Sequence, residues 1–163
     1  MLEHHMVAAC AAILQRLDSR PPMVINFGAA GSYGTEHAPA VGEVVLVDTV
    51  GRFDVDDNVH WVPPRRLATV DLALDLGLPT VTCITGSRYS TPRDRASEHF
   101  PDGHVEDMEL YALAVLLETL GIPLLSLKYV TNLVDGGGRE QFRDNVEANR
   151  DRAYRALEGL LQT

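Results

Sequence analysis

The chain has 163 residues, 45% of them hydrophobic and 23% charged, with a formal net charge of −9. That length fits a single domain over residues 1–163, long enough to bury roughly 70% of its unfolded surface without staples. The acidic balance argues against a phosphate-backbone partner, which calls for a basic face, no apolar run reaches the ~20 residues of a membrane span, and no signal-peptide pattern is visible.

From Met6 to Leu17 apolar residues recur at helical spacing, and Arg20-Pro21-Pro22 ends the run. Met23 to Phe27 reads as a short buried strand that runs into a glycine turn, Gly28-Ala29-Ala30-Gly31-Ser32-Tyr33-Gly34. Gly42 to Val50 is a strand rich in β-branched residues, of the kind found in sheets covered on both faces. Arg52 to Arg66 is polar and reads as a surface excursion, followed by a short amphipathic helix over Leu67 to Leu76. Thr80 to Thr85 is a second buried strand, and Ser87 to Gly103 a long polar loop. Long ordered loops in compact domains are usually functional. Met108 to Leu120 is a helix closed by Gly121, Pro123 to Thr131 a strand, Asp135 to Gly138 a turn, and Arg139 to Leu161 a long amphipathic helix.

Strands alternating with helices predict an α/β fold, a three-layer domain with a central, mostly parallel or mixed sheet flanked by helices. In such sheets ligands bind beyond the carboxyl ends of the strands. Here those ends carry Gly28 to Gly34, Gly86 to Ser90 and Thr131 to Asp135, all rich in glycine or small polar residues. Glu106, Asp107 and Glu109 place three carboxylates in four residues at the start of an apolar helix. One or two of them are accounted for by the helix dipole. Glu109, on the turn that carries Tyr111 to Leu117, is harder to explain by packing, since unpaired carboxylates beside a core are unfavourable. The histidines lack zinc-like spacing, so no metal is expected. No dinucleotide fingerprint, Walker loop or nucleophile elbow is present, and no cofactor is expected. Cys10 and Cys83 sit in apolar runs and read as buried free thiols in a reducing, cytoplasmic setting.

In order, Val24 to Gly31, Val41 to Val45, Thr85-Gly86 with Tyr89, Val105 to Glu109, Gly121-Ile122-Pro123 and Val130-Thr131-Asn132 resemble the nucleoside phosphorylase/nucleosidase superfamily. The similarity is greatest to its 5′-methylthioadenosine/S-adenosylhomocysteine nucleosidase branch and runs from about Met6 to Leu160. The resemblance implies cleavage of a purine-nucleoside N-glycosidic bond through a ribosyl cation-like transition state. That chemistry wants a carboxylate near the ribose, a donor to the departing base and a positioned nucleophile. By the resemblance, Glu109 holds the ribose hydroxyls and stabilises the developing positive charge, and Met108 packs on the sugar. Tyr89 stacks on the base, and the backbone near Ser90 reads its edge. Ala30 and Gly31 offer backbone N–H groups, Asp107 belongs to the same substrate-binding set, and Asn132 engages the purine N7. The resemblance also implies a small-molecule purine nucleoside as partner and a homo-oligomer, a dimer or larger.

The chain departs from that pattern in three places. Where adenine-specific nucleosidases carry aspartic acid this chain has Asn132, and an amide can donate to N7 but cannot protonate it. Asparagine there is the habit of phosphorylases that prefer 6-oxopurines, so a purine nucleoside phosphorylase is the alternative. Phosphorolytic relatives place arginine and serine where Asn26 and Ala29 stand, which favours water as nucleophile, although Arg88 or Lys128 could replace the lost phosphate ligands. Finally, the family begins with a strand and a glutamate-rich turn that precede the Met6 helix. The expectation is a chain that starts short of them, with the N-terminal strand missing and the catalytic base unassigned between Asp54 and Asp107. A non-catalytic nucleoside-binding subunit remains the competing reading from another class.

Overall fold

The β-branched stretch Val44-Val45-Leu46-Val47 has no polar residue to offer a solvated face, and it lies at the centre of the molecule. The computed structural model describes residues 2–52, 64–67, 77–88, 103–134 and 138–161. Among these, the strands are β1 (Val24–Ser32), β2 (Val44–Arg52), β3 (Arg65–Arg66), β4 (Thr80–Thr85), β5 (Gly103–Asp107) and β6 (Leu124–Leu133). The helices are α1 (Leu2–Leu14), α2 (Leu110–Thr119) and α3 (Gly138–Leu161).

The sheet is mixed and flanked by helices, as expected. Strand order is β3-β2-β4-β5-β1-β6, and β6 also pairs with β2. That extra pairing, with Val44 opposite Tyr129 and Leu46 opposite Leu127, curls five of the strands into a closed ring. Around the ring β2–β4, β4–β5 and β1–β6 pair parallel, and β5–β1 and β6–β2 antiparallel. Closure leaves no unpaired edge on those five strands, which explains why their sequences carry so few of the charges that protect edges.

One core cluster joins Val45, Val47, Cys83, Val105 and Val130 of the sheet to Leu110, Leu113 and Leu117 of α2. A second joins Leu46, Leu125 and Leu127 on the opposite face to Leu157 of α3. α2 ends in a Schellman arrangement. Gly121 has φ +60°, its N–H donates to the Glu118 carbonyl at 2.9 Å, and Ile122 N–H donates to the Leu117 carbonyl at 2.8 Å. The closing glycine expected there has this physical reason: the left-handed turn disfavours a side chain. Arg20 adds a side-chain hydrogen bond to the Leu120 carbonyl at the same helix end.

Two expected local structures are different. Gly28 to Gly31 is not a turn but the second half of β1, paired with β6 throughout and with β5 at Gly31. Neither Gly28 nor Gly31 has positive φ, and the backbone turns only after Ser32, with Gly34 at φ +63°. Likewise Glu106 and Asp107 do not open the helix. They end β5, opposite Ile84 and Thr85 of β4, and the helix begins at Leu110 with Glu109 as its N-cap. In both cases a partner strand on each side supplies hydrogen bonds that local sequence signals do not reveal. The expected helix over Leu67 to Leu76 and the long loop from Ser87 lie largely outside the described residues, as does Asp54.

Candidate active site

The carboxyl ends of β1, β5 and β6 meet at a cavity of about 310 Å³. β1 contributes Ala29, Ala30 and Gly31; the end of β5 and the turn into α2 contribute Glu106, Asp107, Met108 and Glu109; β6 contributes Thr131 and Asn132, and α3 Phe142. The volume falls at the lower end of the about 300–1,000 Å³ usual for small-molecule sites.

The β6 wall is shaped by a bulge. Ala30 pairs with Val130 and Gly31 with Asn132, so Thr131 is the extra residue. Bulges of this kind re-aim side chains next to functional sites. The Thr131 carbonyl, displaced from the ladder, accepts from Asn145 Nδ2 at 2.9 Å, and Gln141 Oε1 accepts from Leu133 N–H at 2.8 Å. α3 thereby pins the bulged strand end. The Thr131 hydroxyl lies 2.9 Å from Asn132 Oδ1 and 3.3 Å from the Ala30 carbonyl. Its one proton goes to the nearer acceptor, so the Asn132 oxygen is turned to Thr131 and its NH₂ points the other way. One of those protons reaches the Leu133 carbonyl at 3.3 Å, and the group lies over Gly31.

That close approach is why residue 31 is glycine. A Cβ there would sit 2.8 Å from Asn132 Nδ2 and 3.2 Å from Val134 Cγ2, whereas one at Gly28 would meet its nearest atom, Lys128 Nζ, at 3.5 Å. Gly31→Ala is therefore expected to destabilise the fold by about 1–3 kcal/mol, and Gly28→Ala to leave it nearly unchanged. Thermal unfolding of the two variants side by side checks this, and equal midpoints would remove the packing argument.

Behind the cavity wall lies a buried charged network. Lys128 Nζ donates to Asp107 Oδ2 at 2.7 Å, with the two side chains 2% and 0% exposed. Thr85 Oγ1 donates to Asp107 Oδ1 at 2.6 Å, and Leu110 N–H donates to Asp107 Oδ2 at 3.1 Å. Burial works against the Lys128 charge, but Asp107, Cys83 and Glu109 together more than offset this and raise the ammonium's pKa. Burial, then Asp107, pushes the Cys83 thiol well above its ordinary range, so it stays protonated and unreactive. Lys128 is thus committed to Asp107 rather than offered to an anion, which removes it as the substitute phosphate ligand. Asn26 is likewise turned away from the cavity, its Oδ1 accepting from Ser126 Oγ at 3.0 Å.

Glu109 differs from Asp107. As N-cap of α2 it makes no side-chain capping hydrogen bond, and its carboxylate stands at the cavity wall. Burial, then the like charge of Asp107, raises its pKa, while Lys128 and the Met108 backbone N–H pull the other way. Raised carboxylates in a cavity are a common mark of functional sites.

Ala30, Gly31, Asp107, Met108, Glu109 and Asn132, all expected at a site, line this one cavity. Tyr89 and Ser90 lie outside the described residues. Sequence reasoning passed over Phe142, whose place depends on α3 folding back across β6, and saw Thr131 only as part of a strand end, since its role follows from a bulge that no residue type announces. Glu106 was visible in the carboxylate run, of which one or two members were accounted for by the helix dipole, but it was not singled out as a site residue.

A closed mixed sheet with helices on its outside and an acidic cavity at the strand ends defines an α/β protein built to take a small molecule. The chain belongs to the phosphorylase superfamily, whose pattern it matches over residues 2–162. It is 32% identical over 138 residues to a 5′-methylthioadenosine/S-adenosylhomocysteine nucleosidase of Arabidopsis thaliana, covering 79% of this chain and 54% of that protein. Among solved structures, the Arabidopsis thaliana 5′-methylthioadenosine nucleosidase in apo form superposes with a TM-score of 0.83 at 26% identity, over 96% of this chain and 66% of that one. A 5′-methylthioadenosine/S-adenosylhomocysteine nucleosidase from S. pneumoniae, with the transition-state inhibitor MT-ImmA, gives a TM-score of 0.75 at 25% identity, over 93% of this chain and 74% of that one. The chain spans about half to two thirds of the length of the curated relatives it matches.

Proposed function

We propose that this chain forms one nucleosidase-like domain and is a purine-nucleoside N-ribosyl hydrolase, similar in reaction to the 5′-methylthioadenosine/S-adenosylhomocysteine nucleosidases it resembles. The observation that carries the reading is Glu109: a carboxylate excused from capping its helix, standing in a cavity whose opposite wall presents the Asn132 amide. Water attacks C1′ as the C1′–N9 bond breaks, the electron pair leaves with the base, and a proton from water is returned to the base. Glu109 accepts from the ribose hydroxyls and offsets the positive charge that builds on the sugar. Met108 packs against the ribose and the Ala30 and Gly31 backbone N–H groups serve the ribose and nucleophile, while by the resemblance Tyr89 is the residue to stack on the base and the backbone near Ser90 the one to read its edge. Hydrolysis is favoured over phosphorolysis by the names of the relatives and by the commitment of Lys128 to Asp107. The reading includes a cytoplasmic homo-oligomer, which light scattering of the purified protein tests. Among the described residues no helix is long and apolar enough to cross a membrane.

A second reading concerns the base. Because the Asn132 oxygen is turned to Thr131, the amide presents its NH₂ end, a donor, towards the base. A 6-oxopurine offers acceptors at both O6 and N7, whereas the amino group of a 6-aminopurine would face another donor. Asn132→Asp is expected to swing the ratio of kcat/KM values from 6-oxo towards 6-amino nucleosides by about tenfold or more, since an unmatched buried polar group costs about 1–3 kcal/mol. An unchanged ratio would remove the argument from Asn132.

The deciding assay is chromatographic release of base from inosine, adenosine and 5′-methylthioadenosine, with and without phosphate. Release without phosphate supports the hydrolase, release only with phosphate makes the protein a phosphorylase, and no release from a folded sample overturns both.

A further inference from the structure

The first N–H groups of a helix have no partner within it, and the N-cap side chain ordinarily accepts from one of them. At α2 that duty is displaced. Leu110 N–H is taken by Asp107 Oδ2 at 3.1 Å and Tyr111 N–H by Thr85 Oγ1 at 3.0 Å, while Glu109, the N-cap itself, takes neither. Asp107 and Thr85 are held together in turn by the 2.6 Å hydrogen bond between them, and Asp107 by Lys128.

We propose that Asp107, although it lines the cavity, is a positioning residue for Glu109: it takes over helix capping and ion pairing so that the Glu109 carboxylate is left for the ligand. This rests on the reading of Glu109 as the ribose-binding carboxylate. Three elements meet at Asp107, since Thr85 comes from β4, Lys128 from β6 and Leu110 from α2. The corner that presents Glu109 is therefore fixed from three sides, and none of those hydrogen bonds is available to a substrate without breaking it. Its charge also matters at Glu109. The charged groups acting there are Asp107 from β5, Lys128 from β6, and Glu3 from α1, itself paired with Arg52 of β2 at 3.0 Å, while Glu106 of β5 lines the same cavity. Of these, Asp107 is the largest like charge acting on Glu109. Removing it while leaving Lys128 favours the ionised form of Glu109, which moves its titration to lower pH.

The test is Asp107→Asn in the full chain, read in two ways. A ¹³C-carboxyl NMR titration of Glu109 in the ligand-free protein is expected to move to lower pH, and the acid limb of the kcat profile with it. At the pH optimum kcat is expected to fall by up to about a hundredfold, the effect of an ångström-scale misplacement. Should Asp107→Asn fold poorly, Thr85→Val removes the hydroxyl that anchors Asp107 and is expected to lower kcat more than KM rises, with Thr85→Ser retaining most of it. An unmoved Glu109 titration together with a kcat loss no greater than the loss of folded protein would overturn the proposal, as would equal activity of Thr85→Val and Thr85→Ser. The NMR arm is independent of turnover. If Glu109→Gln proved fully active, the ribose assignment would fall while the titration still reported whether Asp107 acts on Glu109.

Discussion

Glu109→Gln is expected to lower kcat by roughly 10²–10³-fold, or about 3–4 kcal/mol, comparable to losing one preorganised group aimed at developing charge. The amide fills the same space and can still accept a ribose hydroxyl, so nucleoside binding should change far less than turnover. Stability moves the other way. Because burial and Asp107 raise the Glu109 pKa, the folded state binds that proton more tightly than the unfolded chain. The corresponding stabilisation is complete below the ordinary carboxylate pKa and is lost as pH rises through the raised one. At neutral pH the ionised carboxylate therefore works against folding, and Glu109→Gln should unfold no earlier than the parent. Wild-type activity should fall as pH drops through the raised pKa, and the variant should lack that limb. Stopped base-release assays across pH, with melting curves on the same samples, check both halves. Near-parent turnover would sink the ribose assignment, and a large drop in melting temperature would show that Glu109 is structural.

Lys128→Met is expected to be the most destabilising of the single changes considered, by about 3–5 kcal/mol. It strands Asp107 in a place where its side chain is 0% exposed. For a chain of this length that amounts to a midpoint roughly 6–20 °C lower. The pair itself is not the source of stability. Burying both charges is unfavourable, and what the variant loses is the partner that made the remaining charge tolerable. Combining Lys128→Met with Asp107→Asn should accordingly recover much of the loss, since the amide oxygen still accepts from Leu110 N–H. Thermal unfolding of the two singles and the double forms a cycle, and strictly additive losses would show that the two side chains do not depend on each other.

Most of the order of strands and helices was legible because β1, β2, β4 and β6 announce themselves as apolar, mostly β-branched runs and the amphipathic helices by their period, whereas β5, Gly103–Asp107, carries no such run and was not foreseen. Thr80–Thr85 matches to the residue, and the glycine at the end of α2 marks a real left-handed turn. The boundaries that mattered most for the site were not legible, for one reason. Gly28 to Gly31 carries every local mark of a turn, and Glu106-Asp107 every mark of a helix start, yet both are strand because β6, β5 and β4 lie alongside. A residue at such a place is chosen for what approaches it from across the sheet, as Gly31 is for Asn132. Nothing near it in the chain records that neighbour. The acidic run was still a sound pointer to the cavity, although the division of labour between Asp107 and Glu109 depends on Thr85 and Lys128, about twenty residues away on either side.

The pairing of β1 with β6 has a consequence for how the protein is made. Asn26 and Ser126 meet across an interval of 100 residues, so β1 leaves the ribosome long before its neighbour exists. At the about 5–20 residues per second of translation, the apolar Val24-Ile25-Asn26-Phe27 segment waits roughly 5–20 s for β6. Until then the ring is open, and the β6 side of β1, which later frames the cavity, is unpaired. Such distant pairings also slow the search itself. Assembly is thus held back until Leu124–Leu133 arrives to close the ring, and the newborn chain has greatest need of a chaperone in that interval.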